Sequence, residues 1–283
     1  MQPQPDLPLI SIVTPSYNQA PYLRRTLESL LAQGYPRLEL IVIDGGSNDG
    51  SVEIIREFAD HIAYWVSERD RGQSHAINKG FARATGDVLG WLNSDDLLLP
   101  GALKAVGEIF AAYPEIGWIT GRTTLVDVDD RLSQVWLKRK PRFRRLIASG
   151  WYHGRALGFI NQEGTFWRRA LWEMAGGHVD ETRHYSMDYE LWRRFARYAD
   201  LVSVDRSLGA FRKQPNQKTS QLDAYFKEAG VRLPAAARFV AWPIRGAFTI
   251  LSWPFAPRLI YDSRAGRWQF KPGPFFQPGI SPK

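Results

Sequence analysis

Cysteine is absent from this 283-residue chain. That excludes a disulfide framework, a thiolate metal site and a cysteine nucleophile. It is compatible with the cytosol and says nothing more about redox compartment. Histidine is sparse: His61, His75, His153, His178 and His184 show no HxxxH or HxH spacing, so a histidine-held metal is not expected. There is no GxSxG nucleophile elbow, no GxxxxGK[ST] phosphate loop and no GxGxxG turn after the first strand, which removes most of the support for hydrolase, P-loop and dinucleotide-binding readings. Residues 1–8 lack the basic segment and apolar core of a secretory signal, and the chain is expected to be cytoplasmic. No apolar run reaches the roughly 20 uninterrupted residues that a bilayer span requires. The most apolar stretch, 233–261, is broken by Pro234, Pro243, Pro254 and Pro257 and punctuated by arginines.

Apolar residues suffice for a packed core: 44% of the chain is hydrophobic, with 11 tryptophans and 15 phenylalanines, which excludes a disordered chain. Apolar runs at 9–13, 38–43, 62–66 and 88–92 read as buried strands. The first three each lead through a polar loop into a helix. The first helix has Pro21 in its first turn, Leu23, Leu27, Leu30 and Leu31 on one face and Gly34 as its stop. The second carries Val52, Ile55 and Phe58, and the third Ala76, Ile77, Gly80 and Phe81. Such repeated units imply a mostly parallel sheet with helices on both faces, because parallel strands need a crossover. Ligands of such sheets bind beyond the carboxyl ends of the strands. Tyr17, Asn18, Asp44, Arg71, Asp95 and Asp96 all fall at such ends. After residue 101 the alternation weakens. Residues 118–128 read as one or two strands, 141–149 as a basic helical segment, 159–167 as extended, and 168–175 and 187–198 as helices.

The net charge of +8 is unevenly spread. Lys138, Arg139, Lys140, Arg142, Arg144 and Arg145 form one cluster; Arg232, Arg238, Arg245, Arg258, Arg264 and Arg267 are interleaved with aromatics. This balance favours anionic partners, with a solvated basic face as the alternative for the first cluster. For 233–261 two readings stand: short amphipathic pieces lying on an anionic bilayer surface, or a segment packed on the body of the protein. Residues 271–283 are rich in proline and glycine and are expected to be poorly ordered.

Three carboxylate sites stand out. Asp44 closes an apolar strand before a glycine-rich turn, where it could accept from a base N–H or a ribose hydroxyl; Asp49 and Ser51 suit helix capping better. Asp95 and Asp96 follow the run 88–92 directly. Adjacent carboxylates repel, and a hard divalent ion, Mg²⁺ or Mn²⁺, would relieve them while keeping coordination sites for phosphate oxygens; a helix cap is the alternative for Asp96. Asp188 opens the helical run 187–198. It suits either the helix dipole or a base beside an acceptor hydroxyl.

The motifs resemble family 2 glycosyltransferases over residue 8 to about 220. The matching stretches are Ser11-Ile12-Val13-Thr14-Pro15-Ser16-Tyr17-Asn18, Val42-Ile43-Asp44-Gly45-Gly46-Ser47-Asn48-Asp49-Gly50-Ser51, Ser67-Glu68-Arg69-Asp70-Arg71-Gly72-Gln73 and Asn93-Ser94-Asp95-Asp96, followed by Asn161-Gln162-Glu163-Gly164-Thr165-Phe166-Trp167 and Met187-Asp188-Tyr189-Glu190. The resemblance implies a GT-A, Rossmann-like α/β fold, with a helical and aromatic C-terminal extension. Thr14, Pro15, Tyr17, Asp44, Arg71, Asn93 and Ser94 would line the nucleotide-sugar pocket. Asp95 would be both a donor contact and the metal ligand, and Asp188 the catalytic base. The sequence departs from the family pattern at Asn93 in the DxD-like motif, at Met187 before the base, and at Gln214, where relatives often carry histidine. Arg267-Trp268 stands without the full Gln-x-x-Arg-Trp of processive synthases, so transfer of a single sugar is expected.

The resulting expectation is an inverting, metal-dependent transfer from a nucleoside-diphosphate-sugar, UDP being the first choice, to a saccharide or lipid-linked saccharide in cell-surface polysaccharide biosynthesis. Residues 1–8 would be a tail, 9–120 the donor half, 121–229 the acceptor half, and 230–283 a basic extension peripheral at the inner membrane face. No nucleic acid partner is expected. The rivals are a nucleotidyltransferase-like enzyme, which would want a basic glycine-rich loop after the first strand, and a non-catalytic nucleotide- or nucleic-acid-binding protein, recognisable by steeply salt-dependent oligonucleotide binding.

Overall fold

The computed structural model describes residues 6–122, 124–135, 141–215, 217–231 and 251–277. Strands β1 (Ile10–Ser16), β2 (Leu38–Asp44), β3 (Tyr64–Ser67) and β4 (Val88–Trp91) lie parallel in the order β4-β1-β2-β3. Between them run α1 (Ala20–Leu31), α2 (Ser51–Glu57) and α3 (Gln73–Phe81). Side chains alternate across the sheet, and both faces are buried. Ile10, Ile12, Leu40 and Val42 share one core with Leu23, Leu27 and Leu30 of α1. Val13, Ile41 and Ile43 join the opposite core, with Ala76, Ile77 and Phe81 of α3.

The remaining elements are β5 (Leu97–Leu98), α4 (Ala102–Ala112), β6 (Trp118–Arg122), β7 (Thr124–Val126), β8 (Leu132–Val135), α5 (Arg144–Ala148), β9 (Thr165–Arg168), α6 (Arg169–Met174), α7 (Met187–Phe195), β10 (Leu201–Ser207), β11 (Gly209–Arg212), α8 (Leu222–Glu228), β12 (Arg258–Asp262) and β13 (Arg267–Lys271). The large sheet has nine strands, in the order β13-β12-β10-β6-β9-β4-β1-β2-β3, and β5-β11-β7-β8 form a second sheet. Within the large sheet β9 runs antiparallel to β4 and β6, and β13 antiparallel to β12. The other pairings are parallel, as the repeated strand-loop-helix units predict.

Thr14-Pro15-Ser16, expected as a loop, is the last part of β1. Pairing with β4 stops at Val13↔Trp91, while pairing with β2 runs on to Ser16↔Asp44. The missing N–H of Pro15 therefore falls on the side that β4 has already left, where it costs no ladder bond.

The C-terminal extension, expected to be helical, with packing on the body of the protein as one of two readings, is over 258–271 a β-hairpin at the edge of the same sheet. Trp268 and Leu259 enter the α1/α4 core, and the Trp268 carbonyl accepts from Tyr113 Oη at 2.7 Å. Order continues past 271: the Gln277 N–H bonds Asp200 at 2.6 Å, and Phe276 packs on Phe270. Most of the stretch read as surface-lying pieces, 232–250, lies outside the described residues, as do Lys138, Arg139 and Lys140.

The described arginines of the first basic cluster are partly structural. Arg142 is buried, donates to the Phe159 carbonyl at 2.9 Å and lies over the Tyr152 ring; burial lowers its pKa to about 10. Arg144 donates to the Ala196 carbonyl at 2.8 Å. Many of the tryptophans are likewise internal: Trp91, Trp118, Trp167, Trp172 and Trp192 pack together with Phe81 and Phe195, Trp91 stacking on Trp192 at 5.7 Å.

Two substitutions test this packing. At Gly80, propensity alone makes alanine a gain of about 1 kcal/mol. A Cβ there would overlap Val13 Cγ1 and lie 2.9 Å from Cγ2, so Gly80→Ala is expected to lose about 1–3 kcal/mol in urea unfolding. Arg212, 1% exposed, joins the second sheet to the end of β4: it ion-pairs with Asp130 and donates to the carbonyls of Asp95 (2.7 Å) and Asp127 (3.1 Å). Arg212→Met is expected to cost about 3 kcal/mol or more in the same assay.

Candidate active site

Because β1, β2, β3 and β4 are parallel, their carboxyl ends share one edge, and the loops beyond them build the site. After β4 the chain turns through Asn93, Ser94, Asp95 and Asp96. Asp96 is 1% exposed. Its Oδ1 accepts the Arg212 N–H at 2.9 Å, and its Oδ2 accepts from Asn93 Nδ2 and Gln162 Nε2, both at 3.2 Å. Burial, then the neighbouring Asp95 and Glu163, push its carboxyl well above the usual range. Asp95 is half-buried, and its Oδ2 accepts from Gln214 Nε2 at 2.5 Å. Burial raises this carboxyl too, against the pull of Gln214, Arg212 and Lys218.

The acidic chain continues to α7. Glu163, just before β9, is 3% exposed and accepts from Asn161 Nδ2 at 2.9 Å. Burial pushes it up to about 7; Asn161 works downward, Asp188 and Asp95 upward. Asp188 stands in the first turn of α7, with its Oδ1 accepting the Tyr189 N–H at 2.7 Å. Burial raises it to about 6, with a further upward push from Glu228. Asp95, Asp96, Glu163 and Asp188 thus form one electrostatically connected set. Asp95 follows the end of β4 and Asp188 stands at the start of α7.

The residues expected at the donor pocket fall into three kinds. Thr14, Pro15 and Ser94 are buried; the Ser94 carbonyl accepts from Thr26 Oγ1 at 3.0 Å. Tyr17 is 62% exposed, and Gly45 lets it and Asp70 approach: a Cβ there would lie 2.9 Å from Asp70 Oδ2 and 3.3 Å from Tyr17 Cδ2. Arg71 is exposed and ion-paired to Glu181 at 2.7 Å.

Asp44 also organises its own turn. It is fully buried and accepts from the N–H of Gly46 (3.1 Å) and Ser47 (2.8 Å) and the hydroxyls of Ser47 (2.5 Å) and Ser67 (2.6 Å). Oδ2 takes three of these donors and Oδ1 only the Ser47 hydroxyl, so Asp44 holds the 44–47 turn while Oδ1 keeps one acceptor site. Asp49 holds the adjacent turn, accepting from the N–H of Ala20 (2.9 Å) and Ser51 (3.0 Å).

Sequence reasoning assigned no role to Gln73, Glu163, Gln214 or Lys218. Asn93 Oδ1 accepts from Gln73 Nε2 at 2.7 Å, Gln73 Oε1 accepts from Lys218 Nζ at 2.8 Å, and Lys218 also donates to the His184 carbonyl at 3.1 Å. Burial lowers the Lys218 pKa against the pull of Glu228 and Asp95. The signal for Gln214 and Lys218 was present as the departure from the family's histidine; Gln73 and Glu163 stood inside quoted motifs.

Among the described residues no group of three His, Asp or Glu side chains could hold an ion unaided. The donors at the strand end are all oxygens, from Asp95 and from Asn93. That set fits a hard Mg²⁺ or Mn²⁺ ion completing its shell with water and phosphate oxygens.

Residues 11–174 match the model of glycosyl transferase family 2. An uncharacterized glycosyltransferase of Rickettsia typhi is 29% identical over 235 residues, covering 77% of this chain and 69% of that one. One from Nostoc is 30% identical over 168 residues, 58% of this chain, and the match covers 52% of that relative. S. aureus TarS residues 1–349 in complex with UDP-GlcNAc superposes with a TM-score of 0.59 at 16% identity, covering 86% of this chain and 66% of that one. The mannosyltransferase PcManGT of Pyrobaculum calidifontis, in complex with GDP-Man and Mn²⁺, gives 0.57 at 20% identity, covering 90% and 73%. Among the described residues no helix is long and apolar enough to cross a membrane. With its loops gathered at the strand ends, its acidic chain and the family match over 11–174, this chain belongs to glycosyltransferase family 2 and has a GT-A fold.

Proposed function

We propose that the protein is an inverting, metal-dependent glycosyltransferase. It moves one sugar from a nucleoside-diphosphate-sugar, UDP-linked by first expectation, to a hydroxyl of a saccharide or lipid-linked saccharide in cell-surface polysaccharide assembly. The observation that carries this reading is the pairing of Asp95 at the strand end with the half-buried Asp188 at the start of α7, both within electrostatic reach of Glu163. Residues 9–120 supply the donor half and 121–229 the acceptor half.

In the transfer the acceptor hydroxyl oxygen attacks the anomeric carbon of the donor sugar. The bond from that carbon to the diphosphate oxygen breaks, the nucleoside diphosphate leaves, and the hydroxyl proton passes to Asp188. Asp95 would hold Mg²⁺ or Mn²⁺ against the diphosphate, with Asn93 beside it, and the ion when bound would neutralise charge on the leaving group. Lys218, held by Gln73 and the His184 carbonyl, adds a fixed cation at the same end of the pocket. Tyr17 offers an aromatic face to the base at the mouth. Arg71 would reach the donor by exchanging Glu181 for phosphate.

A peripheral position on the inner membrane face draws support from exposed apolar side chains: Leu251 at 71%, Phe255 at 52% and Phe275 at 77%. Gly273 packs against the Phe255 carbonyl, which brings the two segments side by side. Arginines nearby would snorkel to anionic headgroups.

Three tests follow. A thermal-shift screen of UDP-, GDP- and dTDP-sugars with and without Mn²⁺ is expected to give a metal-dependent rise with one nucleotide class, lost in Asp95→Ala; no rise with any donor would contradict the reading. Asp188 must be ionised to take the proton, and its pKa is raised to about 6. Transfer is therefore expected to fall about tenfold per pH unit below that value, to level off above it, and to be abolished in Asp188→Asn. Sedimentation with phosphatidylglycerol vesicles is expected to be lost when Leu251, Phe255 and Phe275 are all changed to Ser; unchanged binding would remove the membrane reading.

A further inference from the structure

Glu228 closes α8 beside the turn that leads into α7. Its Oε1 accepts from the N–H of Tyr185 (3.0 Å) and of Ser186 (2.7 Å) and from the Ser186 hydroxyl (2.7 Å), and its Oε2 accepts from the N–H of His184 (2.9 Å). Its carbonyl takes the Arg183 guanidinium at 3.0 Å, which also donates to the Ser186 hydroxyl at 3.2 Å. Ser186 occupies the position from which a hydroxyl ordinarily caps a helix. Here it makes no cap bond to α7 and donates to Glu228 instead. Asp188 stands two residues further on. The backbone that sets the entry of α7 is thus held by a carboxylate 42 residues downstream of Ser186.

Packing alone does not call for a charge at this point. Helix α8 is already seated by Tyr225 and Phe226, which form an apolar cluster with Tyr189, the Tyr189 and Tyr225 rings meeting at 6.3 Å. Burial works to raise the Glu228 pKa, but the Ser186 hydroxyl and the three N–H groups prevail and hold it below the usual value. Glu228 is therefore a carboxylate throughout the range in which Asp188 titrates.

We propose that Glu228 is the positioning residue of the base, its carboxylate fixing the 184–186 turn so that Asp188 is aimed at the acceptor hydroxyl. Its negative charge also makes Asp188 the stronger base. The inference rests on the reading of Asp188 as that base. The other titratable or charged groups around the pair are Glu163 before β9, Tyr189 on α7 with His153 against its ring, Tyr225 of α8, and Lys218, Arg183 and His184 next to Glu228. All of them persist in the variants below, so a difference between variants reports Glu228.

The test uses the full chain with ¹³C-labelled aspartate carboxyls, the Asp188 signal being the one lost in Asp188→Asn. In Glu228→Gln, nearly the same size but uncharged, the Asp188 titration midpoint is expected to fall and amide exchange at 184–186 to accelerate by roughly tenfold or more. In Ser186→Ala, which loosens the turn but keeps the charge, exchange is expected to rise while the midpoint stays. Turnover by Glu228→Gln is expected to drop roughly ten- to a hundredfold in kcat at unchanged donor KM. If Glu228→Gln does not fold, Glu228→Asp, which keeps the charge but draws it back by one methylene, is expected to accelerate exchange at 184–186 and lower kcat while the midpoint stays nearly in place. An unchanged midpoint in Glu228→Gln or unchanged exchange in either Glu228 variant overturns the proposal, and so does an equal midpoint fall in Ser186→Ala, because loosening alone would then explain it. Full activity in Asp188→Asn would instead remove the base reading and leave the exchange and titration results standing.

Discussion

The site depends on how the fold accommodates the buried carboxyl of Asp96. A carboxylate away from water costs several kcal/mol unless donors meet it. Here they come from three parts of the chain: the Arg212 N–H from β11, Asn93 from the same turn, and Gln162 from the segment before β9. Those segments must arrive together for the turn to hold, which places Asp95 at the head of the donor loops and Gln214 against it. The second sheet follows from the same arrangement, since Arg212 also reaches the Asp127 carbonyl and Asp130.

Burial raises the carboxyls of Asp95, Asp96, Glu163 and Asp188, and their neighbours add to it at Asp96, pushed up by Asp95 and Glu163, and at Glu163, pushed up by Asp188 and Asp95. A stable fold would gain by dispersing such a set, and perturbed groups of this kind gather where chemistry is done. The arrangement divides by environment. Asp95 is near Lys218 and Arg212 and suits an ion and phosphates. Asp188 is near tyrosines and has no cation among its perturbing groups, which suits proton transfer near neutrality.

Strands β1 to β4 and their helices were legible because their apolar residues repeat with the right periods and end in polar loops, and the site's edge followed from parallel pairing. The run 159–167 was read as extended and holds most of β9, but its antiparallel place between β4 and β6 and the β12–β13 hairpin were not legible, because their partners lie far away in sequence. Asp95 and Asp188 could be named from position and motif. The turn-holding part of Asp44 could not, since it depends on Ser67, 23 residues away, closing on the same carboxylate. Arg142 belongs to a cluster for which the sequence left a solvated face open, and Arg212 drew no role from the sequence; both lie inside the fold, and only the carbonyls and the carboxylate that surround them reveal it.

Direct displacement with Asp188 as base has one signature that neither binding nor stability can imitate, the configuration at the anomeric carbon of the product. Proton NMR of the first-formed product from an α-linked donor is the most direct measurement. The account predicts a β-linked product, with the anomeric centre inverted in a single step. An α-linked product would mean retention, and would contradict the role given to Asp188.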